Sequence, residues 1–167
     1  FRIKNYSYNK NQFLSTGGST GSTLKYYCSK RTYSWQKAAT YRAWNNAGHE
    51  LGDKMATLAG SPIEPLSKNN IKNRIVPTLK NYFLENVKKF SSFDLSREKM
   101  RSYADSIIKY NPVSFRGYAN SLFVFSKFLI EEDIKLPKLK AVFSASEKLP
   151  HQNRSVIEQA FQTKVFD

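Results

Sequence analysis

The sequence predicts an α/β fold, a sheet with helices on its faces. Three observations carry this. Short apolar runs bounded by Gly, Pro and Asn alternate with longer stretches of helical period. The apolar share, 40% with 14% aromatic residues, is enough to build a packed core in 167 residues. The second half reads helix, helix, strand, helix, strand, an order that suits a sheet with crossover helices.

Residues 1–14 are polar and aromatic without a clear period. Residues 15–23, Ser-Thr-Gly-Gly-Ser-Thr-Gly-Ser-Thr, read as a loop, because nothing in them packs and three glycines admit positive φ. Leu24 to Ser29 is a strand-like run. From about Tyr33 to Asn46 the spacing of Trp35, Ala38, Ala39, Arg42 and Ala43 predicts a helix, with Gly48 as its stop. Met55 to Ala59, entered by Gly52-Asp53 and closed by Gly60-Ser61-Pro62, reads as a buried strand. Residues 61–75 form a Pro/Asn/Lys-rich excursion. A short helix from Pro77 to Val87 and a strand over Phe90 to Phe93 follow.

Asp94 or Ser96 then caps a helix with Glu98 in its first turn. Its apolar stripe is Met100, Tyr103, Ala104, Ile107 and Ile108, and Asn111-Pro112 ends it. Leu122, Phe125, Phe128 and Leu129 mark the next helix, which runs to the acidic Glu131-Glu132-Asp133. Leu139 to Phe143 reads as a buried strand and 144–147 as a loop. Leu149, Val156, Ile157, Ala160 and Phe161 mark a further helix, and Lys164 to Asp167 begins one more strand. Ligands of such sheets gather where loops leave the carboxyl ends of strands, which singles out 144–147.

Composition narrows the function classes. There are 27 Lys and Arg against 13 Asp and Glu, a net charge of +14. That balance favours an anionic partner: a phosphate ligand, a nucleic acid or an anionic surface. The basic residues are spread from Arg2 to Lys164 without a block of five like charges, so nucleic acid is not the expected partner. No apolar run approaches the roughly 20 residues of a membrane helix. The opening Phe-Arg-Ile-Lys-Asn-Tyr holds no signal peptide and no initiator Met, so the chain reads as a cytoplasmic excerpt, a single partial domain over 1–167. A lone cysteine, Cys28, excludes an intramolecular disulfide and a cysteine-based zinc site. In a strand-like run it is expected to be buried and inert. His49 and His151, in a loop and at a helix start, have no second ligand or base at a telling spacing. Trp35 and Trp44 are read as packing residues.

The Gly/Ser/Thr loop carries the chemistry. Backbone N–H groups of such a loop converge on phosphate oxygens, and Ser and Thr hydroxyls add donors. No Gly-Lys-Ser or Gly-Lys-Thr closes it, so it is not a Walker loop. A strand follows where the dinucleotide fingerprint needs a helix. A linker or a plain hairpin connection is the simpler reading of the loop taken alone.

Four stretches in order make a resemblance. Ser15-Thr16-Gly17-Gly18-Ser19-Thr20-Gly21-Ser22-Thr23-Leu24-Lys25 resembles the phosphate-binding loop of adenylate-forming enzymes. It is most similar to the phenylacetate–coenzyme A ligase branch, which includes the capsular-polysaccharide protein CapK and coenzyme F390 synthetase. Arg42-Ala43-Trp44 with Gly48 and Gly52-Asp53-Lys54 resembles the helix and strand entry that follow. Phe115-Arg116-Gly117-Tyr118-Ala119-Asn120-Ser121-Leu122 resembles the branch's Arg-Gly-Tyr-Pro-Ser segment. Leu139 to Leu149 resembles the strand and loop beside the adenine. The likeness runs from about residue 13 to 167. Thr23 replaces a usual Pro, Leu24 a common Lys with Lys25 one place later, and Ala119 another Pro.

The resemblance implies part of the large N-terminal domain of an adenylate-forming enzyme, a mixed sheet flanked by helices. It implies ATP-dependent activation of a small carboxylic acid, with ATP, Mg2+ and, as one acceptor, coenzyme A. Ser15, Thr16, Gly17, Gly18, Ser19, Thr20, Gly21 and Lys25 would serve the phosphates, with Ser146 and Glu147 beside the adenine. Arg116 and Tyr118 would line the acyl pocket or brace a helix start. The plainer role open to Ser146 is a helix cap. The catalytic groups themselves are expected after residue 167. The CapK likeness implies a role in making surface polysaccharide. The alternative that the charge supports is a basic module binding nucleic acid or another polyanion without catalysis.

Overall fold

A computed structural model of the chain describes residues 11–15, 25–60 and 86–167. The chain divides into two compact units, Phe1–Trp44 and Asn45–Asp167. The excursion over 61–75 and residues 77–85 of the expected short helix lie outside the described residues; of that helix's remaining positions, Asn86 is irregular and Val87 begins a strand.

The first unit opens with β1 (Asn11–Ser15) paired antiparallel to β2 (Lys25–Ser29), Asn11 opposite Ser29 and Ser15 opposite Lys25. Ser15 is therefore the last residue of a strand and not part of the loop. The missing alternation in residues 1–14 hid β1, and the strand pair brackets residues 16–24. Helix α1 (Lys30–Asn46) follows at once. It starts three residues before the expected Tyr33 because the Ser29 hydroxyl accepts the Thr32 backbone N–H at 3.0 Å, an N-cap bond. The residues whose spacing predicts this helix lie on its exposed side. Trp35 is 67% exposed, and Ala38, Ala39, Arg42 and Ala43 are exposed with it. The half-buried side carries Lys37, Thr40, Tyr41 and Trp44, with Tyr41 and Trp44 edge to face at 5.3 Å.

The second unit is a five-stranded parallel sheet in the order β4-β3-β5-β6-β7. The strands are β3 (Met55–Leu58), β4 (Val87–Phe90), β5 (Ser114–Tyr118), β6 (Ala141–Ala145) and β7 (Val165–Phe166). Helix α2 (Arg97–Tyr110) joins β4 to β5, α3 (Ala119–Glu131) joins β5 to β6, and α4 (His151–Phe161) joins β6 to β7. Ala56, Leu58, Phe90, Phe115, Val142 and Val165 share one sheet face. They form a single core with Met100, Ala104 and Ile107 of α2, Leu122, Phe125, Phe128 and Leu129 of α3, and Ile157 and Phe161 of α4. Phe115 stands between α3 and α4, its ring 5.0 Å from Phe161 and 6.2 Å from Phe125.

Several elements depart from the sequence reading. β5, the middle of the sheet, lies between Asn111-Pro112 and the Leu122 stripe, where no strand was expected. β4 comes three residues before the expected Phe90–Phe93, and Phe93 is 73% exposed. In α2 the buried positions are Met100, Ala104, Ile107 and Tyr110, while Ile108, one position round the helix from Ile107, is exposed. Ser96 is the α2 N-cap by backbone conformation, without a side-chain bond. Asp94 instead accepts the Ser96 N–H at 3.2 Å. Asn111 ends α2 in the left-handed region (φ 51°). β6 begins two residues later than expected, so Ser144 and Ala145 belong to the strand, opposite Gly117 and Tyr118.

Candidate functional site

The parallel order fixes where a ligand would bind. The first strand of the sheet, β3, has the second, β4, on one side and the third, β5, on the other. The order in which strands are added therefore reverses between β3 and β5, the switch point at which ligands of such sheets sit beyond the carboxyl ends. Ala59 and Gly60 leave β3 there, Ala119 and Asn120 follow β5, and Ser146 and Glu147 follow β6.

Local bonds draw these loops apart. Gly60, at φ 73°, has its carbonyl accepting from the Ser92 N–H (3.4 Å) and hydroxyl (3.3 Å), which ties it toward β4. On the other side Glu147 Oε2 accepts the Asn120 N–H at 3.0 Å, which ties the start of α3 toward β6. Gly117, between Phe115 and Tyr118, lets β3, β5 and α3 approach closely. A Cβ there would stand 2.9 Å from the Leu58 carbonyl oxygen and 2.9 Å from two Leu122 carbons.

Of the residues singled out in the sequence, four come together at this edge. Arg116 and Tyr118 alternate with the core-facing Phe115, so they lie on the sheet face opposite α2–α4, both half-buried. Arg116 is in register with Thr57 and Phe143. Ser146 turns the chain out of β6 at φ 68°. It is not a helix cap, since the N-cap of α4 is Pro150. Glu147 is bonded to α3. Ser15 and Lys25 end and begin the paired strands of the first unit. Thr16, Gly17, Gly18, Ser19, Thr20 and Gly21 lie outside the described residues. Ser144, expected in the ligand loop 144–147, lies instead within β6, its hydroxyl oxygen buried beside Gly117 without a hydrogen-bond partner among the described residues.

The amino edge is built differently, around a buried histidine. His49 is 3% exposed, its Nδ1 2.8 Å from the Ser114 hydroxyl and its ring edge to face with Phe143. Asp53 accepts the Glu50 N–H at 3.0 Å and pairs with Lys140 at 3.3 Å. Ser114 opens β5, so this Ser–His pair sits at the end of the sheet where ligands do not gather, and it pins the 47–54 loop. Burial holds the His49 pKa below its ordinary value, aided by Lys140 and opposed by Asp53. The unfolded state therefore binds the extra proton first. His49 contributes its stability fully above the ordinary histidine range and loses it as pH falls below about 6.5. Urea midpoints at pH 7 and pH 5 are expected to drop more in the wild type than in His49→Gln. The difference is bounded by about 1.4 kcal/mol per pH unit, the limit for one proton. Equal drops would remove His49 from the acid sensitivity.

Two grooves are formed by described residues. One is lined by Phe123, Lys127, Ile130, Glu131, Val156 and Gln159, and another by Leu129, Ile134 and Ala160 with polar neighbours. Both open between α3 and α4, away from the loops that leave the strands. Among the described residues no group of three or more His, Cys, Asp or Glu forms a metal cluster, and no helix is long and apolar enough to cross a membrane. Cys28 is buried and free.

No family model matches the chain. It is 24% identical over 156 residues to Protein CapK of Staphylococcus aureus, a match covering 91% of this chain and 33% of that protein. Among solved structures it is similar to a 2-hydroxyisobutyryl-CoA ligase in complex with 2-HIB-AMP and CoA. The TM-score is 0.64 at 15% identity, over 96% of this chain and 33% of the ligase. A luciferase-like enzyme from the mealworm Zophobas morio matches with TM-score 0.56 at 14% identity, over 99% of this chain and 35% of that enzyme. VinN matches at TM-score 0.56 and 11% identity, over 92% and 34%. The chain spans about a third of the length of each of these proteins. At these identities the likeness is one of fold: the chain has the α/β fold of about a third of an adenylate-forming ligase.

Proposed function

We propose that the chain supplies the nucleotide-binding wall of an enzyme that activates a carboxylic acid as its acyl-adenylate and passes the acyl group to a thiol or other acceptor. One observation carries this reading. Four stretches similar to the phenylacetate–coenzyme A ligase branch occur in order, and the last two meet at neighbouring carboxyl ends, Arg116–Tyr118 on β5 and Ser146–Glu147 after β6.

The chemistry follows from charge. A carboxylate oxygen of the acid attacks the α-phosphorus of ATP, the bond from that phosphorus to the bridging oxygen breaks, and pyrophosphate leaves with the electron pair. Negative charge grows on phosphate oxygens, so fixed N–H and hydroxyl donors lower the barrier. Ser15, Thr16, Ser19, Thr20 and the amides of Gly17, Gly18 and Gly21 would supply these donors, with Lys25 as a cation. Ser146 would lie beside the adenine, with Glu147 next to it bonded to α3, and Arg116 and Tyr118 along the acid. A thiol such as that of coenzyme A then attacks the acyl carbon, and AMP leaves. Magnesium would arrive on the nucleotide; the described residues offer no cluster of their own for it. The likeness to CapK supports a place in the synthesis of surface polysaccharide, in the cytoplasm where ATP and coenzyme A are held.

A second reading draws on the charge. All 13 acidic residues lie after Trp44, so the first unit is wholly basic. A polyanion-binding module would hold a random duplex tightly at physiological salt. The ligase reading expects weak binding that salt abolishes. The experiment for the leading reading is acid-dependent exchange of labelled pyrophosphate into ATP by the natural full-length polypeptide.

A further inference from the structure

Glu147 is engaged with a helix, not left free for a ligand. Its Oε2 lies 3.0 Å from the backbone nitrogen of Asn120, 27 residues earlier in the chain. Asn120 is the second residue of α3, and its N–H is among the amides a helix leaves without an internal acceptor. Tyr118 occupies the N-cap position with an extended backbone and no side-chain cap bond, and the first turn of α3 holds no acidic residue. The carboxylate that faces this helix end comes instead from the loop after β6. It fills the role of a cap and sets a negative charge against the positive end of the helix dipole.

Position gives this bond a consequence. α3 begins directly after Tyr118, and Glu147 directly follows Ser146. The bond therefore joins the loop proposed for the adenine to the segment proposed for the acid. A carboxylate turned toward an adenylate would meet a phosphate of its own sign, whereas at the α3 amides its charge is used.

We infer that Glu147 is a positioning residue: it clamps the start of α3 to the loop leaving β6, so that the nucleotide and acid sides of the carboxyl edge are held in one arrangement. The inference rests on the reading of this edge as the nucleotide site.

The experiment follows amide hydrogen exchange in the natural full-length polypeptide as wild type, Glu147→Ala and Glu147→Gln, each with and without AMP as the probe. Glu147→Ala is expected to speed exchange at Asn120, Ser121 and Leu122 about fivefold, with α2 and α4 unchanged. Glu147→Gln keeps an oxygen that accepts the same bond and is expected to stay within about twofold of wild type. AMP is expected to protect the first turn of α3 in the wild type and in Glu147→Gln but not in Glu147→Ala. Unchanged exchange at these amides in Glu147→Ala overturns the clamp. So does a Glu147→Gln protein with normal exchange and AMP affinity reduced more than fivefold, which would make Glu147 a ligand contact. If AMP binds to none of the three proteins, the nucleotide reading of the edge fails, and the exchange rates alone still decide the clamp.

Discussion

Gly117→Val is expected to cost the fold upwards of about 3 kcal/mol, at or beyond the upper end of ordinary overpacking. The reason is the identity of the neighbours. A Cβ would stand 2.9 Å from the backbone oxygen of Leu58, which belongs to the paired strand and has no rotamer to change. The same Cβ would stand 2.9 Å from Leu122 Cγ and Cδ2, and Leu122 is fully buried in the core. Relief requires β3 and β5 to part at the switch point or α3 to lift off the sheet. Valine adds two further methyl groups to the conflict, so Gly117→Ala should be the milder variant, at about 1–3 kcal/mol. Against a total of about 5–15 kcal/mol the valine variant should be marginal or unfolded. Urea unfolding of the three proteins decides it. A valine variant within about 0.5 kcal/mol of wild type would mean that the close approach of β3, β5 and α3 is not as described.

The largest expected effect on chemistry is that of Gly21→Val. The proposal puts the amide of Gly21 against phosphate oxygens, and a branched side chain there would occupy the path of the triphosphate. Acid-dependent pyrophosphate exchange is expected to fall at least about tenfold, roughly 1.4 kcal/mol of transition-state stabilisation, with the thermal unfolding of the protein unchanged. An unchanged rate would take the loop out of the mechanism.

Much of the fold was legible because its signals are local. Met-Ala-Thr-Leu between two glycine turns reads as a buried strand, and all four residues are buried. Leu122, Phe125, Phe128 and Leu129 keep helical spacing, and all are buried. β5 was hidden for the opposite reason. Its pattern is set by contacts far away in sequence: Ser114 is polar because it meets His49, and Gly117 is small because Leu58 and Leu122 crowd it. β4 carries two lysines between Val87 and Phe90, so the apolar weight of Phe93 pulled the expected strand too late. The exposed stripe of α1 shows the limit of periodicity, which reveals that a helix has two sides but not which one is covered. At the site, the approach of Arg116–Tyr118 to Ser146–Glu147 follows from two neighbouring parallel strands once β5 is known. The bond from Asn120 to Glu147 has no local signal, since it joins residues 27 positions apart.

Exchange of labelled pyrophosphate into ATP by the natural full-length polypeptide, across a panel of aryl and short-chain carboxylic acids, tests the central claim most directly. Exchange reports reversible adenylation and needs no acceptor, so it isolates the step assigned to this chain. The account predicts exchange that is absent without acid, appears with at least one acid of the panel, and is lost in Gly21→Val. Folded protein that exchanges no pyrophosphate with any acid, while holding a random duplex tightly at physiological salt, would contradict it.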